Sequence, residues 1–192
     1  ESLLNMELTV ENSAHFGVRT RFPKQHALEI LKLCELAYDE FTKVLPYPKD
    51  SLKKWKRIQI YLFADLEEFQ LFFDRFIWPK RYVTKEHHYE YYREAGNCNF
   101  YFPHPIIVLR RSPALPKFQD QCALIVHNVG HVMLHRMKKS IYPPDWLEEG
   151  LGHYLEQKVF GHARIFCLWP GRLSTKELIV PGWRNTADWK KK

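Results

Sequence analysis

Residues 121–156 read QCALIVHNVGHVMLHRMKKSIYPPDWLEEGLGHYLE, and their periodicity decides the fold. At about 100° per residue, Cys122, Ile125, Val126, Val129, Val132, Met133 and Met137 fall on one stripe of a helix predicted over 118–138. His127, His131 and His135 lie nearly opposite that stripe. Residues four apart stack above one another, so His127 and His131 can direct two imidazoles at one ion, while His135 is expected at the surface. Pro143 and Pro144 then interrupt the chain, and a second helix is predicted over 145–160. Asp145 reads as its N-cap with Glu148 as the reciprocal partner three residues on, which leaves Glu149 free. Leu147, Leu151, Tyr154 and Leu155 form the apolar side of this helix, and Glu149, His153, Glu156 and Phe160 fall on another. Two antiparallel helices joined this way can bring Glu149 to His127 and His131. Two imidazoles and one carboxylate make a common catalytic zinc set that leaves a fourth position for water, although the same donors suit several divalent ions.

Upstream, HFGVRTRF at 15–22 alternates apolar and polar residues and is expected to be a strand, followed by a helix over about 25–44. RIQIYLF at 57–63 is a second strand. Asp65 can cap the next helix with Glu68 as its reciprocal partner, and that helix carries Phe69, Phe72, Phe73 and Phe76 before stopping near Pro79. Residues 80–96 are polar and aromatic and carry no assignable period. Residues 96–102 and 106–110 read as two short strands around Pro103, His104 and Pro105, a loose hairpin. The sum is an α+β chain: a small mixed sheet packed against helices, with the metal site between two consecutive helices. One domain is expected over 1–160, with 161–192 as a C-terminal extension packed on it or partly flexible.

The chain has 192 residues, 45% of them hydrophobic and 27% charged, which argues against wholesale disorder. Its net charge of +7 comes from 29 Lys+Arg against 22 Asp+Glu, but no basic helix or basic–aromatic pattern gathers that charge, so no nucleic-acid partner is expected. No stretch approaches the roughly 18 apolar residues of a membrane span. The first residues, ESLLNMELTV, lack the basic start and apolar core of a signal peptide. A soluble protein is expected, extracytoplasmic if a targeting segment has been removed. The cysteines Cys34, Cys98, Cys122 and Cys167 have no C-x-x-C spacing and read as separate buried thiols, with Cys122 inert on the apolar stripe.

HNVGH followed by WLEEGLGHYLE resembles the gluzincin branch of the zinc metallopeptidases, and is most similar to peptidase MA-like domains, whose pattern is HExxH and then W-L-x-E-G-x-A-x-Y. The resemblance is strong over the two helices and weaker over the rest of about 60–157 and the strand at 16–22. It implies a zincin-like fold holding one zinc ion, with His127 as first histidine ligand, His131 as second and Glu149 as the carboxylate ligand. Three positions depart from the pattern. Asn128 stands where the motif has its glutamate, and an amide cannot take a proton from metal-bound water. His153 stands where the resembling families often carry Glu or Asp, and Gly152 where Ala is usual.

The implication is a metal-binding domain that is a catalytically impaired or inactive metallopeptidase homologue. Two alternatives remain open at the level of sequence. One is a zinc-dependent peptide or amide hydrolase with a non-standard base drawn from Glu148, Glu156, His153 or His135, and oxyanion support from His153, Tyr154 or a tyrosine of 82–92. The other is a non-catalytic module that holds an extended peptide or protein segment in the cleft, beside an edge strand near Asn97–Phe102. In the resembling fold a substrate lies as an extra strand beside such an edge.

Overall fold

The computed structural model describes residues 8–45, 56–77, 92–94, 96–100, 104–111, 115–137, 143–163 and 165. Five strands form one mixed sheet: β1 (Thr9–Asn12), β2 (Phe16–Thr20), β3 (Ile58–Phe63), β4 (Asn97–Phe100) and β5 (Ile106–Arg110), in the order β1-β2-β3-β5-β4. The three inner strands run parallel, and β1 and β4 flank them antiparallel at the two edges. The helices are α1 (Lys24–Val44), α2 (Leu66–Phe72, continued by a π-helical turn Phe73–Ile77), α3 (Phe118–Met137) and α4 (Asp145–Phe160). Metal-capable residues lie on α3 and α4, which pack directly on one another.

Side chains alternate between the faces of a strand, and here both faces are covered. Phe16, Val18, Ile58, Ile60, Leu62, Ile107 and Leu109 point to a core shared with α1, α3 and α4. Phe63, Cys98, Phe100 and Val108 point the other way, into an aromatic cluster with Phe69, Phe72 and Phe73. That explains why four phenylalanines recur between 69 and 76: they seal the far face of the β3-β5-β4 half of the sheet. The Asp65 carboxylate accepts Glu68 N–H at 2.9 Å, as its capping position requires. The return bond from Glu68 goes to the N–H of Ala64 at 3.0 Å, one residue earlier than in a regular capping box.

Strands, hairpin and helices fall where the patterns put them, with three differences. β1 lies in TVEN, too short and too polar to announce itself, and is held by antiparallel pairing to β2. Helix α3 is not a one-sided amphipath. Every residue from Gln121 to His135 is buried, because α1, the sheet and α4 enclose the helix. His135 therefore lies in the interior at 6% exposure instead of at the surface. The expected tyrosines of 82–91 and Cys167 lie outside the described residues. Among those described, no helix is long and apolar enough to cross a membrane.

Candidate metal centre

Helices α3 and α4 can approach closely because glycines meet at their crossing. A Cβ on Gly130 would lie 3.3 Å from the Cα of Gly152. A Cβ on Gly152 would lie 2.6 Å from Cε1 and Nδ1 of the His127 ring, a separation real atoms do not tolerate. Glycine in place of the usual alanine is thus the condition for His127 to occupy its position, not a mild departure.

At this crossing three side chains converge. His127 Nε2 stands 3.4 Å from Glu149 Oε2, and His131 Nε2 stands 3.7 Å from Glu149 Oε1. One ligand atom from each of the three lies within 4.8 Å of the other two, and all three residues are buried. Bonds of about 2.0–2.1 Å in a tetrahedral shell put ligand atoms about 3.3 Å apart, so the spacing fits one small cation.

The far nitrogens of both imidazoles face carboxylates. Glu156 is fully buried, and its Oε1 accepts a hydrogen bond from His127 Nδ1 at 2.7 Å. A carboxylate can only accept, so a proton sits on Nδ1, and in the neutral ring the Nε2 lone pair is directed at Glu149. His131 Nδ1 lies 3.2 Å from Glu148 Oε1 in a less well aligned contact, and the same oxygen accepts from His135 Nε2 at 3.0 Å. Burial on its own would raise the Glu148 carboxyl, but the two imidazoles beside it outweigh that and hold it well below the usual carboxylate range.

This corrects the reading of Glu148 as a helix cap. The residue before α4 is Pro144, and no side chain caps the helix end. Glu148 is turned toward α3, where two buried imidazoles compete for it more strongly than one exposed N–H. The expected loss of negative charge at His153 is also made good. Glu156, three residues farther along α4, supplies the carboxylate that orients His127. His153 instead donates from Nε2 to the backbone carbonyl of Ile165 at 2.6 Å, its ring centroid 5.4 Å from that of His127. His127, His153 and Glu156 also lie near enough to hold an ion, but the 2.7 Å contact between Glu156 and His127 Nδ1 marks this group as a hydrogen-bonded support. Tyr154 packs against the main core with Lys158 Nζ 5.5 Å from its ring centroid.

Asn128 occupies the position of the motif glutamate and is 1% exposed. Its Oδ1 accepts from Nδ2 of Asn99, on edge strand β4, at 2.5 Å. Asn97 and Asn99 pair with Leu109 and Ile107 of β5, so both project to the helix-covered face. Asn128 Nδ2 and the Oδ1 atoms of Asn97 and Asn99 are buried with no hydrogen-bond partner among the described residues. The neutral amide at 128 carries no basic group able to take a proton from a bound water.

The described cysteines offer no competing chemistry. Cys34, Cys98 and Cys122 are free and buried, and burial pushes the Cys122 thiol up to about 12 and those of Cys34 and Cys98 well above their ordinary value. None of them is a thiolate at neutral pH.

Comparisons of the chain with protein-family models, with curated proteins and with solved structures found no match. The site therefore speaks through its own geometry. The His127-Asn128-x-x-His131 spacing with Glu149 and Glu156 nearby matches an HExxH-like zincin motif with glutamate replaced by asparagine. The cluster supports the reading of a catalytically impaired metallopeptidase-like domain and offers an arrangement able to coordinate a metal ion.

Proposed function

We propose that the protein binds one zinc ion through His127 Nε2, His131 Nε2 and a Glu149 oxygen, and that it holds a polar or peptide ligand beside this ion without cleaving it. The observation that carries the metal assignment is the meeting of acceptors. With its Nδ1 proton committed to Glu156, His127 Nε2 offers a lone pair to a carboxylate oxygen 3.4 Å away, in a buried site. Two acceptors at that distance repel unless a proton or a cation lies between them. Three carboxylates, Glu148, Glu149 and Glu156, crowd the same interior, which further favours a dication. Zinc would act there as a Lewis acid on a bound oxygen, with Glu156 and Glu148 fixing the imidazoles from behind.

Hydrolysis with a substitute base is the weaker reading. Both oxygens of Glu156 are engaged, by His127 and by Ile165 N–H. Glu148 is shared by His131 and His135, and His153 Nε2 is committed to a carbonyl. The non-catalytic reading is favoured by the three amide side chains at the β4–α3 junction, whose open donor and acceptors match the two hydrogen-bonding groups of a peptide unit. An extracytoplasmic location belongs to this proposal only on the condition that a targeting segment has been removed.

Metal analysis tests the first half. The purified chain should carry one equivalent of zinc and a His127→Ala variant none; a metal-free wild type under zinc-replete conditions rejects the site. For the second half, zinc-loaded wild type should leave a fluorogenic peptide library intact, whereas Asn128→Glu should raise hydrolysis by about 10²-fold or more. Wild-type turnover equal to that of the Asn128→Glu variant rejects the impaired assignment.

A further inference from the structure

The chain stays in contact with the metal cluster after α4 has ended. Gly161, in the left-handed region at φ 74°, terminates the helix and turns the chain. Four residues later Ile165 is buried against the main core at 7% exposure. Both backbone polar groups of Ile165 are used there. Its N–H donates to Glu156 Oε2 at 3.1 Å, and its carbonyl accepts from His153 Nε2 at 2.6 Å. The other oxygen of the same Glu156 carboxylate accepts from His127 Nδ1 at 2.7 Å.

A linked set of hydrogen bonds therefore runs from the His153 ring through the backbone of Ile165, by its carbonyl on one side and its N–H on the other, and the Glu156 carboxylate to His127. A carboxylate with no exposure needs donors on both oxygens, because an ionised group removed from water is otherwise strongly disfavoured. His127 supplies one donor and Ile165 the other. If Ile165 leaves, its donor goes with it, and the carboxylate that sets the tautomer and angle of His127 is less firmly fixed. His153 reaches His127 indirectly, through its Nε2 bond to the Ile165 carbonyl. It holds the carbonyl of the residue whose N–H holds the carboxylate.

We infer that His153 is a positioning residue of the metal centre, acting through Ile165 and Glu156 on His127, so that metal binding and the seating of Ile165 are coupled. The inference rests on the reading that His127, His131 and Glu149 bind zinc. It gives His153 a task distinct from the acidic residue that the sequence resemblance leads one to expect at that position. The carboxylate comes from Glu156, and the histidine secures a backbone segment that only the folded chain brings there. Coupling of this kind is reciprocal: whatever seating Ile165 does for zinc affinity, zinc does for the seating of Ile165.

The test uses the full chain and two readouts. Zinc affinity is measured by competition with a chromophoric chelator for wild type, His153→Ala, His153→Gln and His127→Ala. Amide hydrogen exchange at Ile165 is measured with and without zinc. His153→Ala should weaken zinc binding by about tenfold. His153→Gln, whose amide can reach the same carbonyl as a donor, should recover most of the loss; a purely space-filling role for the ring would predict no preference for a donor. Zinc should slow exchange of the Ile165 amide by about fivefold or more in wild type and leave it unchanged in His127→Ala. The exchange measurement on wild type stands even where a variant fails to fold. Wild-type zinc affinity in His153→Ala, or an Ile165 amide indifferent to a bound equivalent of zinc, overturns the coupling while leaving the metal site intact. A wild type that takes up no zinc overturns the metal reading itself.

Discussion

His127 and His131 face the same carboxylate, yet they are supported in opposite ways. His127 is sealed: Gly152 lies flat against its ring, and the fully buried Glu156 holds Nδ1 at 2.7 Å. His131 is held by Glu148, whose side chain is 14% exposed, whose contact is longer at 3.2 Å, and whose oxygen is shared with His135. One half of the site is set by the backbone crossing and by dry hydrogen bonds. The other half is an adjustable pair of imidazoles on a carboxylate that reaches toward solvent. The two histidines are thus held with unequal tightness.

The sharpest way to break this contrast is Glu156→Ala. It leaves the buried donors of His127 and Ile165 without their acceptor, at about 1–3 kcal/mol each. Urea unfolding should show a loss of about 3 kcal/mol or more, and chelator competition a 10–100-fold fall in zinc affinity. A smaller effect is expected for Gly152→Ala, where the added methyl collides with His127 and overpacking should remove about 1–3 kcal/mol. Gly150→Ala is its matched control. A Cβ there meets nothing within 4 Å, so this variant should gain up to about 1 kcal/mol from helix propensity. Opposite signs for two alanines two residues apart on one helix would locate the constraint at the His127 ring; equal signs would remove it.

Glu148→Gln should have the mildest effect, with zinc affinity falling by less than about tenfold and, because the carboxylate's contribution is fully present at neutral pH, a loss of stability there that is smaller than that of Glu156→Ala. Its signature is in acid. The folded-state pKa of Glu148 lies below its unfolded value, so its stabilising contribution is complete above about pH 4.3 and is lost as pH falls toward the depressed folded value. Denaturant titrations between pH 6 and pH 3 on metal-free protein should therefore show a shallower acid decline for Glu148→Gln than for wild type. Parallel curves would mean that Glu148 is not held by His131 and His135.

Much of this centre was legible before any coordinates. The i, i+4 pair His127 and His131 and the placement of Glu149 one turn into the next helix follow from helical geometry. The grouping of Glu149, His153 and Glu156 on one side of α4 was also visible, and it contained the signal for the support of His127, though Glu156 was weighed only as a substitute base. What the pattern missed was context. Helical periodicity separates a stripe from its opposite face, but it does not say that a second helix covers that face, so His135 was placed outside. Local capping preference favoured Asp145 and Glu148 at the start of α4, yet a weak exposed cap yields to two buried imidazoles. Ile165 had no signal at all, because its role is carried by backbone atoms that every residue but proline possesses.

The glycine-to-glycine crossing of α3 and α4 has one more consequence. Side-chain volume usually sets how far apart two helices stand, so the gap can be tuned by exchanging leucine for valine or alanine. Here the backbones themselves are the stop, and no smaller residue exists. The span across which an ion must be gripped is then a property of the two main chains, and an attempt to refit this pocket for a larger cation would have to push the helices apart before altering any ligand.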